Sequence, residues 1–558
     1  MNTKRITVAA AIVEFLKNQY VERDGAEHRL INGVFGIFGH GNVAGLGRSL
    51  EEQGGRDLPF FQPKNEQAMV HTAIAYSKAR KGLGTFACTT SVGPGATNMV
   101  TGAATATINR LPVLLLPGDI FANRRPQPVL QQLEYPMSMD VSVNDCFKPV
   151  SRYWDRINRP EQILHALPEA MRHLANPELM GAVTICLPED VQAEAFDCPL
   201  NFFEKRVYKI SRRACDPGEL RAAADLVRKA RRPLIVAGGG VNYSGAEEAL
   251  DHFVAQTRIP VAVTQAGKGA ISDDHPYGLG GVGVTGTWAA NKFAADADVV
   301  LVVGTRLSDF TTASKTQFQS EGVRFISVNV SAFDAHKHGA LPLIGDARAV
   351  LNELCDALRG YRISDGYDRE LMAAKESWKK VHYDIMNPKV TGMMVQPQVI
   401  RVLNDFCDEK STIVHAAGSL PGDLHKLWKS KNSADYHSEY GYSCMGYEIA
   451  GALGVKMAQP DREVYAFLGD GSYLMMNHEI VTSLQEGYKI TVLLNDNHGY
   501  QCIHNLQRGT GGKSFGNEFR ERAESGRLEG DFARVDFVAN AKSLGAKVFR
   551  AENETQLT

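Results

Sequence analysis

The sequence has no apolar run approaching the roughly 18 residues that a membrane-spanning helix needs. It also lacks an excess of either charge, with 61 Lys and Arg residues against 63 Asp and Glu residues, and so has no basic surplus for nucleic acid or anionic membranes. No two cysteines form a CxxC pair, and their odd total of nine argues against a disulfide framework. These absences favour a cytoplasmic protein with neither a membrane nor a nucleic acid partner.

The chain is long enough for two to four domains, because 558 residues exceed what one hydrophobic core normally supports. Its first twenty residues, MNTKRITVAAAIVEFLKNQY, place apolar residues at helical spacing with charges between them. This pattern predicts an amphipathic helix and not a signal peptide.

Three segments alternate predicted helices with short apolar strands, which predicts an α/β fold of three doubly wound parallel-sheet domains. We expect these domains over residues 1–200, 216–355 and 396–558, with polar connections at 201–217 and 356–395. The predicted strands are residues 33–38, 84–90, 113–116, 182–187, 233–237, 261–264, 299–303, 324–329, 412–415, 464–468 and 490–494.

The last domain is expected to lack its C-terminal end. A predicted helix over 537–544 and strand over 546–549 are followed by only nine residues. A compact α/β domain normally closes with a further helix.

One segment, VYAFLGDGSYLMMNHEIVTSLQEGYKITVLLNDNHGY, carries most of the chemistry. It predicts a strand ending at Asp470, a helix over 477–486, and a second strand ending near Asn497. Because neighbouring parallel strands end at the same edge of a sheet, both side chains can converge on one ion. An aspartate, an asparagine and a nearby backbone carbonyl offer only oxygens, which favours Mg²⁺ or Ca²⁺ over zinc. An isolated Gly-Asp-Gly is usually just a tight turn, but the asparagine after the second strand favours a metal site.

This segment resembles the diphosphate- and metal-binding motif of enzymes that depend on thiamine diphosphate (ThDP), with Asn495-Asp496-Asn497 in place of two consecutive asparagines. The resemblance implies ThDP and Mg²⁺ as cofactors. The implied diphosphate- and metal-binding residues are Gly469, Asp470, Gly471, Ser472, Asn497 and Gly499, of which Asp470, Asn497 and Gly499 hold the metal.

Two further segments resemble the parts of these enzymes that activate the cofactor. Residues 64–68 match the segment whose glutamate pairs with pyrimidine N1′, which assigns that role to Glu66. Residues 443–447 match the segment in which Met445 lies beneath the bent cofactor and the Ser443 carbonyl faces its 4′-amino group. Taken alone, Glu66 would be a solvated helix-start residue and Met445 a core residue.

The loop TSVGPGATN at residues 90–98 resembles the acetohydroxyacid synthase branch of the family. That branch implies a pyrimidine-binding domain, a central domain and a diphosphate-binding domain, in this order. It also implies a homodimer or homotetramer with active sites at subunit interfaces. FAD is not expected, because the glycine patterns of the central domain are weak nucleotide signals.

The reaction is indicated by residues 35–43, 469–485 and 495–507, which resemble the carbon–carbon bond hydrolases of inositol breakdown. These open a cyclic trihydroxy-1,2-dione to 5-deoxy-glucuronate. The candidates for activating water or orienting the substrate are His40, then Gln131, with His478 and His498 also open.

Two alternatives remain at this point. One is a 2-oxo acid carboligase or decarboxylase like acetohydroxyacid synthase, which would form acetolactate from pyruvate. The other is a non-enzymatic nucleotide-binding protein, which would need no site for Mg²⁺ and a diphosphate.

Overall fold

The computed structural model describes residues 2–390 and 392–557. The chain divides into two compact units, and neither is continuous in sequence. The first unit comprises Met1–Ser211, Gly446–Asp461 and Met476–Ile490, and the second comprises Arg212–Met445, Arg462–Met475 and Thr491–Thr558. Within the described residues, no helix combines the length and the hydropathy needed to span a bilayer.

The first unit is built on a six-stranded parallel sheet. In spatial order its strands are Phe60–Phe61, Ile31–Ile37, Thr85–Thr90, Val113–Asp119, Ala182–Pro188 and Tyr153–Arg156. Every residue of Val113–Asp119 and Ala182–Pro188 is buried, as expected for central strands covered on both faces. The α-helices of this unit are Val8–Leu16, Arg48–Gln53, Glu66–Ala79, Pro94–Asn98, Val100–Asn109, Ile163–Ala175, Glu189–Ala193, Tyr447–Ala458 and Glu479–Gln485.

Two smaller sheets in this unit correct two predictions. The N-terminus is not one amphipathic helix, because Thr3–Thr7 is a strand paired antiparallel with Ala195–Pro199. The helix Val8–Leu16 that follows buries eight of its nine residues, so it has no polar face. Part of the predicted connection at 201–217 is also a strand, Arg206–Lys209, which pairs with Gln19–Arg23. The remaining strand of this sheet is Ala26–Arg29, and short 3₁₀ or π turns lie at Val43–Gly47, Val143–Val150, Pro160–Gln162 and Leu200–Phe203.

The second unit contains the central sheet, also of six parallel strands. In spatial order these are Gly278–Gly281, Val261–Val263, Pro233–Ala237, Val299–Val303, Arg324–Asn329 and Leu341–Ile344. The accompanying helices are Pro217–Lys229, Gly239–Ser244, Glu247–Thr257, Trp288–Asp296, Asp309–Thr312, Ala332–Ala335, Ala347–Ala357 and Asp365–Met386, with 3₁₀ turns at Gln265–Gly267 and Lys337–Gly339.

The predicted connection over 356–395 is helical in most of its length. It forms the 22-residue helix Asp365–Met386, whose start is capped by the Ser364 side chain. Only four of its residues are buried, namely Tyr367, Leu371, Ala374 and Met386. Because most of the helix is exposed and polar, the sequence shows too few apolar residues at helical spacing to predict a helix.

The second unit also contains a four-stranded parallel sheet, in the spatial order Tyr436–Ser438, Ser411–His415, Glu463–Gly469 and Thr491–Asn495. The helices of this part of the unit are Gln396–Phe406, Leu420–Leu427, Asp470–Met475, Gln501–Gly509, Phe537–Ser543 and Glu554–Leu557. Arg520–Arg522 pairs antiparallel with Leu528–Phe532. The predicted strand over 546–549 does not form, and Phe549 is exposed there. Three parallel sheets with helices between their strands confirm the predicted α/β class.

Candidate active site

The Asp470 carboxylate anchors the turn of the second unit that the sequence predicts to bind a metal. Asp470 follows the buried strand Glu463–Gly469, begins a helix and is fully buried. Its carboxylate accepts hydrogen bonds from the backbone N–H of Gly471 at 2.8 Å and of Gly499 at 3.1 Å. Burial raises the pKa of Asp470, and these N–H groups oppose that shift. The ends of the two neighbouring strands are therefore joined through this one carboxylate.

The Asn497 amide lies beside two oxygens at this turn, 3.1 Å from Asp470 Oδ1 and 2.9 Å from the Gly499 carbonyl oxygen. With its nitrogen turned toward them, the amide donates a hydrogen bond to each. With its oxygen turned toward them, it would instead complete a set of three oxygen ligands, which suits a hard divalent cation. The donor set therefore fits Mg²⁺.

The position of Gly471, beside these oxygens, has no room for a side chain. A Cβ on Gly471 would lie 2.6 Å from the Tyr500 ring and 3.3 Å from Met445 Cε, so only glycine leaves room for both. Ser443 has φ 54°, a left-handed conformation that favours glycine. Ser472 is buried in the first turn of the helix that Asp470 begins.

A pocket of about 570 Å³ lies in the first unit, and the predicted residues Glu66 and Gln131 both line it. Its other lining residues are Ser91, Pro94, Gly95, Thr97 and Asn98. Glu66 is the first residue of helix Glu66–Ala79, where the helix dipole favours a negative charge. Its Oε2 accepts a hydrogen bond of 2.7 Å from Asn98 Nδ2.

The loops around the pocket fix their residues through close backbone contacts. Gln131 has φ 67°, and a Cβ on Gly93 would overlap the Gln131 carbonyl oxygen. The backbone of His40 accepts from Val92 N at 2.9 Å, but its exposed side chain is not part of the pocket lining. The pKa of Glu189 is raised by burial, and the electrostatic interaction with His40 partly opposes this shift.

The other two candidate histidines lie apart from this pocket lining. His478 belongs to the first unit and is half-buried, and burial lowers its pKa. His498 belongs to the second unit, where its ring stacks on Phe532 with centroids 4.6 Å apart and its Nδ1 lies 3.4 Å from Asp496 Oδ1. The structure therefore gathers Glu66 and Gln131 in one pocket, and Asp470, Asn497 and Gly499 at one turn.

Two residues at these sites were not singled out from the sequence. Asn98 was noted only as part of a Gly- and Pro-rich loop. Glu479 is fully buried and accepts from the backbone N–H of Lys64 at 2.9 Å and of Asn65 at 3.1 Å, just before Glu66. Burial raises the pKa of Glu479 and these hydrogen bonds oppose the shift. The signal available in the sequence was a glutamate next to an apolar residue, Ile480. Carboxylates are rarely buried without a partner, so burial of Glu479 requires hydrogen-bond donors such as these two N–H groups.

Three family models match this chain in order along its length. They describe the N-terminal thiamine pyrophosphate (TPP, or ThDP) binding domain over residues 6–139, the central domain of TPP enzymes over 220–354, and the C-terminal TPP binding domain over 416–558. These matches follow the predicted order of the three domains.

Full-length relatives are also similar to this chain. Two 3D-(3,5/4)-trihydroxycyclohexane-1,2-dione hydrolases from one strain of Bacillus cereus are each 49% identical over 582 aligned residues, covering 100% of this chain and 90% of the relative. The hydrolase of the same name from Bacillus anthracis has the same identity and coverage. The chain therefore belongs to the family of thiamine pyrophosphate enzymes that includes these hydrolases.

Proposed function

We propose that this protein is a ThDP- and Mg²⁺-dependent hydrolase that cleaves the bond between the two carbonyl carbons of 3D-(3,5/4)-trihydroxycyclohexane-1,2-dione. The observation that carries this proposal is the 49% identity, over the whole chain, to hydrolases of that name. The separate oxygen cluster and glutamate pocket support the cofactor part of the proposal.

The residues of the metal-binding turn would hold the cofactor by its diphosphate. Asp470, Asn497 and the Gly499 carbonyl would bind Mg²⁺, which completes its coordination with phosphate oxygens and water. Gly469, Gly471 and Ser472 would line the diphosphate, while Met445 and the Ser443 carbonyl would support the rings.

The proposed reaction balances without an oxidant. One water adds across the bond between the two carbonyl carbons, so one carbon becomes a carboxylate and the other an aldehyde in a single ring-opened product. When bound, ThDP supplies a nucleophilic carbon and then an electron sink for the bond that breaks. Glu66 would exchange a proton with a nitrogen of the pyrimidine ring.

Two other residues would act on water and substrate. His40 lies on the loop hydrogen-bonded to Val92, next to the pocket residue Ser91, and would act as the base for water. Gln131 lines the pocket and would orient a substrate hydroxyl through its amide.

We also propose that the protein is a homodimer or homotetramer in the cytoplasm. Large apolar side chains on the segment that follows Gln131 support an interface, because Leu133 is 75% exposed and Met137 is 81% exposed. Light scattering coupled to size-exclusion chromatography tests the oligomeric state, and a monomer with full activity would contradict it.

The function is tested by following product formation from the trihydroxy-dione with ThDP and Mg²⁺ present or omitted. We expect a cofactor-dependent ring-opened aldehydo-acid, and we expect Glu66→Gln to lower kcat by about 10²- to 10⁴-fold. Glu51→Gln, on an exposed helix position of the same unit, is the matched control and should retain full activity. Acetolactate from pyruvate without ring opening would replace the hydrolase with the carboligase alternative.

A further inference from the structure

The Glu66 carboxylate is held by an amide. Asn98 Nδ2 donates to Glu66 Oε2 at 2.7 Å, and both residues line the same pocket. Glu66 begins one helix and Asn98 ends another, Pro94–Asn98, so the bond joins two separate elements. Within residues 2–390 and 392–557, this is the side-chain hydrogen bond that the structure gives to the Glu66 carboxylate.

The second carboxylate oxygen is left facing a surface without a side chain. Glu66 Oε1 lies 3.3 Å from the position that a Cβ on Gly95 would occupy. A side chain there would also lie 2.2 Å from Thr90 Oγ1, so that position is closed to anything larger than glycine. Asn98 thus binds one oxygen, while the other lies beside the backbone of Gly95 in the pocket lining.

An amide suits this position for a chemical reason. Asn98 donates a hydrogen bond but does not titrate, so it cannot take the proton that a carboxylate exchanges with a ligand. A histidine or a carboxyl group in the same place would compete for that proton. The donor therefore fixes the direction of the carboxylate without entering its proton transfer.

We propose that Asn98 is a positioning residue that directs Glu66 Oε1 toward the pyrimidine nitrogen of ThDP. This inference rests on the role of Glu66 in the proposed function. The competing explanation is that the hydrogen bond only ties the loop over residues 90–98 to the Glu66 helix. That explanation predicts lower stability in variants but leaves the state of the bound cofactor unchanged.

The test uses the full chain with ThDP and Mg²⁺ and compares Asn98→Leu with Asn98→Asp. The leucine keeps the size of the side chain and removes the donor, whereas the aspartate places a second negative charge beside Glu66. We expect kcat to fall about 10- to 100-fold in Asn98→Leu and further in Asn98→Asp, with KM changed less than about threefold. Asn109→Leu, a half-buried asparagine outside the pocket lining, is the control and should match wild type.

A second readout does not depend on turnover. The near-ultraviolet circular dichroism of bound ThDP reports the protonation and tautomer of its pyrimidine ring, and we expect both Asn98 variants to change it at saturating cofactor. A wild-type spectrum and wild-type kcat in Asn98→Leu would overturn the proposal. If the wild-type protein binds ThDP but does not open the dione ring, the spectra still decide the role of Asn98. If it does not bind ThDP, both proposals fail.

Discussion

At the scale of single residues, the space beside Gly471 determines whether the proposed metal-binding turn can form. The Tyr500 ring and Met445 Cε occupy the volume that a side chain would need. We expect Gly471→Ala to weaken ThDP binding by about 5- to 150-fold, because overpacking of this kind costs about 1–3 kcal/mol. Fluorescence titration with ThDP at fixed Mg²⁺ measures the effect.

Gly509→Ala is the matched control for this change. Gly509 ends the helix Gln501–Gly509, and a Cβ there would meet nothing within 4 Å. Its ThDP affinity should equal that of wild type. If Gly471→Ala also binds ThDP with wild-type affinity, then the turn tolerates a side chain at position 471 and the prediction is wrong.

The residues of the site differ in how far the sequence predicts them. Asp470 and Asn497 belong to one strand–helix–strand unit, so their spacing alone predicted that they could converge. Glu66 begins one helix and Asn98 ends another, 32 residues further along the chain. No local sequence pattern therefore predicts their contact. Glu479 contacts residues more than 400 positions away, which only the packed chain reveals.

At the scale of elements, the Glu66 helix and helix Tyr447–Ala458 approach closely through small residues. A Cβ on Gly454 would lie 2.2 Å from the Thr72 carbonyl oxygen, and Thr72 Oγ1 donates to the Ala450 carbonyl at 3.1 Å. We expect Gly454→Ala to lower the free energy of unfolding by about 1–3 kcal/mol, because the helices must separate. Urea denaturation measures the change.

Gly366→Ala provides the comparison for that experiment. Gly366 lies in the first turn of helix Asp365–Met386, and its nearest atom to a new Cβ is Ser364 Oγ at 4.0 Å. Alanine should leave stability unchanged or raise it by up to about 1 kcal/mol. A similar small effect in Gly454→Ala would contradict the close approach of the helices.

The Glu66 helix also carries a histidine that makes the unfolding free energy depend on pH. His71 is fully buried, neither ring nitrogen has a hydrogen-bond partner within the described chain, and burial lowers its pKa from 6.5 to about 3. The unfolded state binds this proton below pH 6.5 while the folded state does not. Stability should therefore fall by about 1.4 kcal/mol per pH unit from pH 6.5 toward pH 3 because of this residue.

His71→Leu should remove this part of the pH dependence. The comparison is the difference in unfolding free energy between pH 7 and pH 5, measured for wild type and variant. We expect the variant to lose about 2 kcal/mol less over that interval. The buried His425, whose pKa is also lowered to about 3, remains in both proteins and accounts for a residual slope. An identical slope in the two proteins would exclude His71 as a contributor.

Among the elements, the parallel strands were the best predicted. Strands such as Val299–Val303 are buried on both faces and therefore appear as uninterrupted apolar runs. The long helix Asp365–Met386 was missed, because a helix with few buried residues looks like a charged linker. The strand Arg206–Lys209 was missed because its half-exposed residues gain their order from pairing with Gln19–Arg23.

At the scale of the whole molecule, a buried ion pair holds distant parts of the second unit together. Lys268 is 2% exposed, its ammonium lies 2.8 Å from Asp273 Oδ2, and it donates to the His425 carbonyl at 3.2 Å. Asp273 also accepts from Ser430 N at 2.7 Å. The pair therefore joins the segment after the central strand Val261–Val263 to the region around helix Leu420–Leu427.

We expect Lys268→Met to lower the free energy of unfolding by about 3–5 kcal/mol, because it leaves the Asp273 carboxylate without its cation. The double variant Lys268→Met/Asp273→Leu should recover a large part of that loss, since no charge is then left unpaired. Urea denaturation of the two variants and wild type measures both changes. A double variant no more stable than Lys268→Met would contradict this account.

The order of three α/β domains was predictable because strand and helix patterns repeat three times along the chain. The composition of the first compact unit was not. Its segments Gly446–Asp461 and Met476–Ile490 join residues before position 212 through contacts that no local pattern records.

That interleaved first unit has a consequence for biosynthesis. The bond between Thr72 and Ala450 closes a loop of 378 residues, so the N-terminal portion leaves the ribosome long before its packing partner exists. At about 5–20 residues per second, the ribosome needs roughly 20–75 seconds to synthesise the intervening chain. During this interval the face of the Glu66 helix that carries Thr72 lacks the helix on which it packs in the folded protein.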